Sequence, residues 1–216
     1  MNIGRRQFLK FLGLATAGIA IEPLAAIVEN GNYFVNRKLG FGFNVPKGWE
    51  VDAFGDFTSL CGKQCLLNFE EDFSKELVEE LSDGLVAVIR KYPDSIGGTR
   101  FNPSVTFYMS PDDVLDEFDT FESFVESAVD TFELVLTDYE VIEEPKPVVG
   151  KNFEALTYKA KFLFEHEDIS SILIDDETWV IHHNGLIYTI HMYDTPYAND
   201  VARNEFKELK NSLHIA

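Results

Sequence analysis

The chain has 216 residues, with 37 acidic and 18 basic side chains and a formal net charge of −19. Apolar residues make up 45% of it, nineteen phenylalanines among them, enough to bury a sizeable core and to exclude a disordered chain. So acidic a surface repels phosphate backbones and anionic head groups, which sets nucleic acid and lipid surfaces aside and leaves cationic partners or divalent cations.

Residues 1–26 read as a leader. Arg5-Arg6-Gln7-Phe8-Leu9-Lys10 places two adjacent arginines ahead of Phe-Leu-Lys and a short apolar run, Phe11 to Ile21. This is the layout of a twin-arginine export signal, carried by Arg5, Arg6, Phe8, Leu9 and Lys10. It is an address read by a translocon that moves folded proteins across the cytoplasmic membrane. Gly4 stands where Ser or Thr usually precedes the pair. The apolar run falls short of the ~20 residues that a spanning helix needs, and Glu22 and Pro23 interrupt it. Leu24-Ala25-Ala26 offers a small-residue cleavage site with Ala26 the last residue removed, an uncleaved anchor being the alternative. No Cys follows the run to accept a lipid, and no later segment reads as membrane-spanning. Cleavage leaves 27–216 as one domain. The counts fall from 18 basic and 37 acidic residues to 15 and 36, a net charge of about −21.

The domain opens with a hairpin, Tyr33 to Arg37 and Gly40 to Pro46, in which Phe41, Phe43 and Val45 alternate with Gly42 and Asn44. Pro46-Lys47-Gly48 turns the chain, and Trp49 and Val51 resume the apolar face. Cys61 and Cys65 follow in Cys-Gly-Lys-Gln-Cys. Outside the cytoplasm a structural disulfide is the first reading, ahead of free thiols and of redox or metal chemistry; so small a ring shapes a loop more than it stabilises a fold. Cys65 to Phe69 reads as a short strand, Ser74 to Leu81 as a brief helix, Gly84 to Tyr92 as a strand and Pro93 to Asn102 as a loop. Ser104 to Met109 is a further strand. From Phe118 to Leu136, Phe121, Val125, Ala128, Phe132 and Val135 recur at helical spacing, with acids near the start suited to the helix dipole.

The second half is rich in strands: Tyr139 to Glu143, ended by Pro145 and Pro147; Asn152 to Phe164; Ile172 to Ile174; Thr178 to His183; and Leu186 to Tyr193. Asn184-Gly185 between the last two is a strong hairpin signal. Tyr197 to Leu213 closes as a helix with Val201, Phe206, Leu209 and Leu213 inward. Hairpin-linked strands with inserted helices indicate one α+β domain.

The run Gly40-Phe41-Gly42-Phe43-Asn44-Val45-Pro46-Lys47-Gly48-Trp49, the strand start Asn102-Pro103-Ser104-Val105 and a closing helix with Phe206, Leu209, Ser212 and Leu213 resemble the PsbP-like family of extracytoplasmic proteins. The resemblance implies an α/β/α sandwich around a central antiparallel sheet, and a recurrent activity of docking. The family's subunits support a manganese and calcium centre in photosystem II, and a protein of the wider superfamily binds a small GTPase. None of those partner-binding residues has a counterpart here.

The histidines are the first place to look for metal or acid–base work. A two-residue turn at Asn184-Gly185 sets His183 opposite Leu186, Ile181 opposite Tyr188 and Trp179 opposite Ile190, a mostly apolar face expected to meet the core. His182 and His191 then share the other face. His191 lies opposite Thr178, four residues from His182, or ~13 Å along the strand, too far for one metal ion. His166 and His214 are weaker candidates still. Asp119, Glu122, Glu126, Asp130 and Glu133 form a stripe opposite the phenylalanines, an ordinary solvated helix face first, and otherwise a docking surface or loose cation site. Glu165-His166-Glu167-Asp168 and Asp175-Asp176-Glu177 read as polar hairpin ends with at most weak cation affinity, since an EF-hand pattern is missing. No nucleophile elbow, phosphate-binding loop, haem or iron–sulfur motif is present, and Gly97-Gly98 is a lone pair in a polar loop.

The expectation is therefore a protein with no catalytic residues, no metal site and no cofactor, exported to the periplasm or another extracytoplasmic space and acting as a protein-binding accessory or assembly factor in the envelope. A small-ligand or divalent-cation binder, with a pocket lined by Phe124, Tyr158 or Tyr188, is the alternative. A hydrolase ranks third and would need a buried carboxylate or histidine in a cleft.

Overall fold

A computed structural model describes residues 26–29, 33–37, 39–51, 84–92, 101–150, 152–166, 169–197 and 200–216. The export motif, Cys61 and Cys65, the strand and helix expected between residues 65 and 81, and Gly97-Gly98 lie outside the described residues.

The Asn184-Gly185 turn organises the larger sheet. Asn184 (φ 51°) and Gly185 (φ 79°) both take positive φ, the combination that matches a two-residue turn to the twist of its strands. The turn joins β9 (Ile169–His183) to β10 (Leu186–Asp194) in the expected register, with His183 opposite Leu186, Ile181 opposite Tyr188 and Trp179 opposite Ile190. Around this hairpin stand β4 (Glu50–Val51), β5 (Leu85–Arg90), β6 (Ser104–Pro111), β7 (Thr137–Val149) and β8 (Glu154–His166). The seven strands run β4-β5-β6-β10-β9-β8-β7, and every neighbouring pair is antiparallel.

A smaller sheet forms from β1 (Ala26–Glu29), β2 (Tyr33–Asn36), β3 (Phe41–Asn44) and β11 (His214–Ile215), in the order β1-β2-β3-β11. Gly42 is required by crowding, because a Cβ there would stand 2.7 Å from the Tyr33 hydroxyl and 3.0 Å from the Phe34 carbonyl oxygen. Helix α1 (Phe121–Val135) follows a 3₁₀ turn, Asp112–Glu117, and helix α2 (Asp200–Ser212) precedes β11. Thr120 caps α1. Its hydroxyl accepts the Ser123 N–H at 3.0 Å, and the Ser123 hydroxyl accepts the Thr120 N–H at 3.2 Å, a reciprocal cap.

Both faces of the larger sheet are covered. Trp179, Ile181, Tyr188 and Ile190 pack with Phe107 against α2 (Phe206, Leu209), Leu213 and the small sheet. Leu156, Tyr158, Val180 and Ile187 pack on the opposite face against Phe124, Val125, Ala128 and Val129 of α1. The architecture is thus α+β, a central antiparallel sheet with a helix on each face, and the small sheet shares one side with α2. Aromatic rings join the two sheets. Phe43 lies over Phe107 at 4.4 Å and 4°, and over Phe34 at 5.0 Å and 18°. The Tyr188 hydroxyl donates to the Leu39 carbonyl at 2.8 Å.

Four expectations change. Trp49 is buried, as its face requires, but Val51 is exposed. Ile172 to Ile174 and Thr178 to His183 are one strand, β9, so Asp175-Asp176-Glu177 lies inside the sheet and not at a hairpin end. β7 continues through Pro145 and Pro147; it is an outer strand with register shifts along its ladder to β8, where missing N–H donors are tolerated. After the helix that was expected to reach Leu213, His214 and Ile215 add a strand to β3.

Phe43→Ala removes the ring shared by Phe34, Phe41 and Phe107, and should destabilise the protein by about 3–5 kcal/mol in urea unfolding followed by fluorescence. A loss below about 1 kcal/mol would mean that the two sheets do not depend on this stack.

Candidate functional site

The antiparallel ladders set one lateral row of polar side chains beneath α1. Thr106 of β6 is opposite His191 of β10, His191 is opposite Thr178 of β9, and Thr178 is opposite Tyr158 of β8. Asp176, two residues before Thr178, shares the face because side chains alternate along a strand. All five residues are buried. The Thr178 hydroxyl donates to Asp176 Oδ2 at 3.0 Å, and His191 Nδ1 lies 2.9 Å from Thr178 Oγ1 and 3.0 Å from Asp176 Oδ2. An ionised carboxylate only accepts, so His191 meets it with a hydrogen on Nδ1.

Aromatic rings hold the imidazole from three sides. Tyr193 stacks on it at 5.5 Å and 3°, while Tyr108 (6.0 Å, 84°) and Phe132 of α1 (6.1 Å, 89°) meet it edge to face. Tyr139 and Tyr158 stand beside the cluster with their phenol pKa values raised well above the ordinary range. Burial is the main cause for each; Tyr158 and then Asp176 add to it at Tyr139, and Asp176 adds to it at Tyr158. Both phenols therefore stay protonated, as donors and not bases. Among the described residues, Asp176 Oδ1 and Thr106 Oγ1 are buried without a hydrogen-bond partner.

A cavity of about 20 Å³ opens between this row and α1, lined by Phe124, Phe132, Tyr158, Thr189 and His191 among others. That volume holds one water. An aspartate that orients a histidine is half of an acid–base device, but here the second half is missing. The neighbouring hydroxyl, Thr178, is turned to the carboxylate, and the space before the ring, among the described residues, has room for about one water. What the arrangement does is fix one imidazole, its tautomer and its plane.

The other expected residues are dispersed. His182 shares the face of His191, as its register requires. It sits at the far end of the hairpin, where Nε2 lies 2.8 Å from Asp112 Oδ2 and the ring is 5.7 Å from Phe121. His214 is exposed in β11. Asp119, Glu122, Glu126, Asp130 and Glu133 are all exposed, along α1 and just before it. Phe124 and Tyr158 line the cavity, whereas Tyr188 points to the other face of the sheet. No group of three or more His, Cys, Asp or Glu side chains converges among the described residues, and no helix among them is long and apolar enough to cross a membrane. Sequence reasoning placed Asp176 at a polar hairpin end and missed its pairing with His191, although carrying the hairpin register two residues beyond Thr178 places it on the face of His191.

The chain matches no family model and no curated protein. Among solved structures it resembles a cyanobacterial PsbP (CyanoP) from Synechocystis sp. PCC 6803, at 15% identity over 94% of this chain and 98% of the other, with a TM-score of 0.47. It also resembles LpqN, involved in cell envelope biogenesis of Mycobacterium tuberculosis, at 9% identity over 82% and 83%, with a TM-score of 0.46. A protein from Bacteroides thetaiotaomicron VPI-5482 matches at 11% identity over 87% of this chain and 49% of the other, with a TM-score of 0.44. Identities and scores this low carry no weight for function.

His191→Ala leaves Asp176 buried with one donor fewer and should cost about 1.5–3 kcal/mol; Thr178→Val should cost about 1–3 kcal/mol. Measured together by denaturant unfolding, the two losses should fall short of additive. Strict additivity would show that the three side chains do not act as a unit.

Proposed function

We propose that the protein is exported by the twin-arginine route and works outside the cytoplasm as a non-enzymatic accessory or assembly factor that binds another protein. The observation that carries this reading is the enclosure of His191 and Asp176 beneath α1 with room for one water. Among the described residues this pair is the best arranged for acid–base chemistry, and its enclosure supports a function on the exterior. That exterior is strongly acidic, and α1 contributes an exposed row, Glu122, Glu126, Asp130 and Glu133. A partner with a basic face would be steered to it at low ionic strength and released by salt.

The leader belongs to the same proposal. Cleavage after Ala26 would leave Ile27–Glu29 to pair with Phe34, Val35 and Tyr33 of β2, so 27–216 would be the mature domain and would keep its first strand.

Two measurements test the reading. Arg5→Lys with Arg6→Lys should hold the protein in the cytoplasm, while the exported wild type should begin at Ile27 by mass spectrometry; unaltered export of the variant removes the twin-arginine assignment. Purified mature protein used as bait on an envelope fraction should retain one reproducible partner that salt releases. The triple variant Glu122→Lys, Glu126→Lys, Asp130→Lys should retain it at least tenfold less. Equal retention by both would move docking away from α1, and substrate turnover that disappears in His191→Ala would end the non-enzymatic reading.

A further inference from the structure

The seam between α2 and the larger sheet contains a pair of carboxyl groups that the docking proposal does not use. Asp175 of β9 and Asp194 of β10 are directly opposite, the last pair of their ladder. Directly opposed side chains start about 4.5–5.5 Å apart at Cβ, and like charges there repel. Asp194 is 4% exposed. Its Oδ1 accepts the Thr195 N–H at 2.8 Å, whereas its Oδ2 is buried with no hydrogen-bond partner among the described residues.

The positive charges around the pair are mostly committed elsewhere. Lys91, just past β5, is bound to Glu205 of α2 at 2.7 Å, and Lys161 of β8 to Glu140 of β7 at 2.7 Å. Further along the same face Lys210 of α2 is bound to Glu177 of β9. Among the described residues Arg203 of α2 is the base within ion-pair reach of the pair, 3.7 Å from Asp175 Oδ2 and half exposed, while Lys91 and Lys161 act on it from further away. Two opposed carboxylates therefore share one distant guanidinium, and one buried oxygen has no donor.

A divalent cation takes six or more oxygens. The pair offers four, two of them already facing Thr195 N–H and Arg203. A proton needs no added ligand and turns the repulsion into a hydrogen bond. We infer that Asp175 and Asp194 share one proton at neutral pH, and that this proton ties the end of β10 to β9 beneath α2, so that this end of the sheet tightens in acid and loosens as the pH rises. Both carboxyls are shifted in the direction this requires. Asp194 is raised by burial first and further by Asp175, against the Thr195 N–H, Arg203 and Lys91; Asp175 is raised by burial against Arg203 and Lys161.

A carboxyl whose pKa is higher folded than unfolded binds more protons in the folded state. Its contribution is present in full below the unfolded value, about 4 for aspartate, and is lost as the pH climbs through the folded value. Asp194→Asn keeps the shape and supplies a permanent donor. It should melt about 2–4 °C above the wild type at about pH 8, with the gap narrowing as the pH falls and closing at about pH 4. A variant that melts lower than the wild type by the same amount at both pH values would overturn the inference. So would a rise in the wild-type melting temperature on adding calcium or magnesium that the variant lacks, because the pair would then be a cation site. Independently of variant stability, wild-type protein carrying ¹³C in its aspartate carboxyls should show one that titrates above the ordinary aspartate range. Titration of every aspartate within that range would refute the shared proton.

Discussion

Phe43 and Phe107 lie almost parallel at 4.4 Å, and the rest of the molecule is arranged around that contact. One ring belongs to a strand of the four-stranded sheet, the other to the seven-stranded one. Among the described residues neither sheet closes on itself, and the faces the two sheets turn to each other depend on mutual cover. A sheet is stable in water only when an apolar face is covered, and here Phe34, Phe41 and Phe43 supply the cover for Phe107 and Tyr188. Helix α2 completes the layer through Phe206, which meets Trp49 edge to face at 5.7 Å. Polar contacts then fix its position: the Trp49 indole N–H and Lys91 both donate to Glu205.

The opposite face solves a different problem. A second helix covers it, so the polar side chains that an antiparallel sheet usually turns to water are enclosed. Burying Asp176, His191, Thr178 and Tyr158 costs free energy unless each finds a partner. The triangle of contacts within 3.0 Å meets most of that requirement. The network is internal to β9 and β10, and α1 closes it with Phe132, whose ring meets the imidazole edge to face. Specific placement, more than net stability, is what a buried polar cluster of this kind contributes.

Local chemistry was legible and non-local cover was not. Asn184-Gly185 carried its turn, its register and the shared face of His182 and His191 in the residues themselves, because an Asn-Gly turn admits few geometries. Alternation placed Phe41 and Phe43 on one side of β3 but could not name Phe107 as their partner, which lies more than sixty residues on. Asp175-Asp176-Glu177 reads as solvated because acids usually are; only the packing of α1 and α2 on either face decides otherwise. Prolines are a reason to end a strand, and Pro145 and Pro147 would end one in the middle of a sheet. β7 is at its margin, a position that belongs to topology and not to any short window. The candidate site divides the same way: the pairing of His191 with Thr178 follows from the turn, while its enclosure follows from a helix whose Phe132 stands 59 residues before His191.

That margin has a consequence for crowding. β7 is thirteen residues long, and an open border of that length invites another chain to hydrogen-bond along it. Pro145 and Pro147 remove two of its amide hydrogens, three register shifts bend it, and Glu140, Glu143 and Lys146 are tied into ion pairs along it. Lys146 and Lys159 together hold the Glu143 carboxyl down to about 2, so its charge persists through any mildly acidic surroundings. Molecules packed side by side are thereby denied a template for fibre growth, even where acid neutralises ordinary carboxylates.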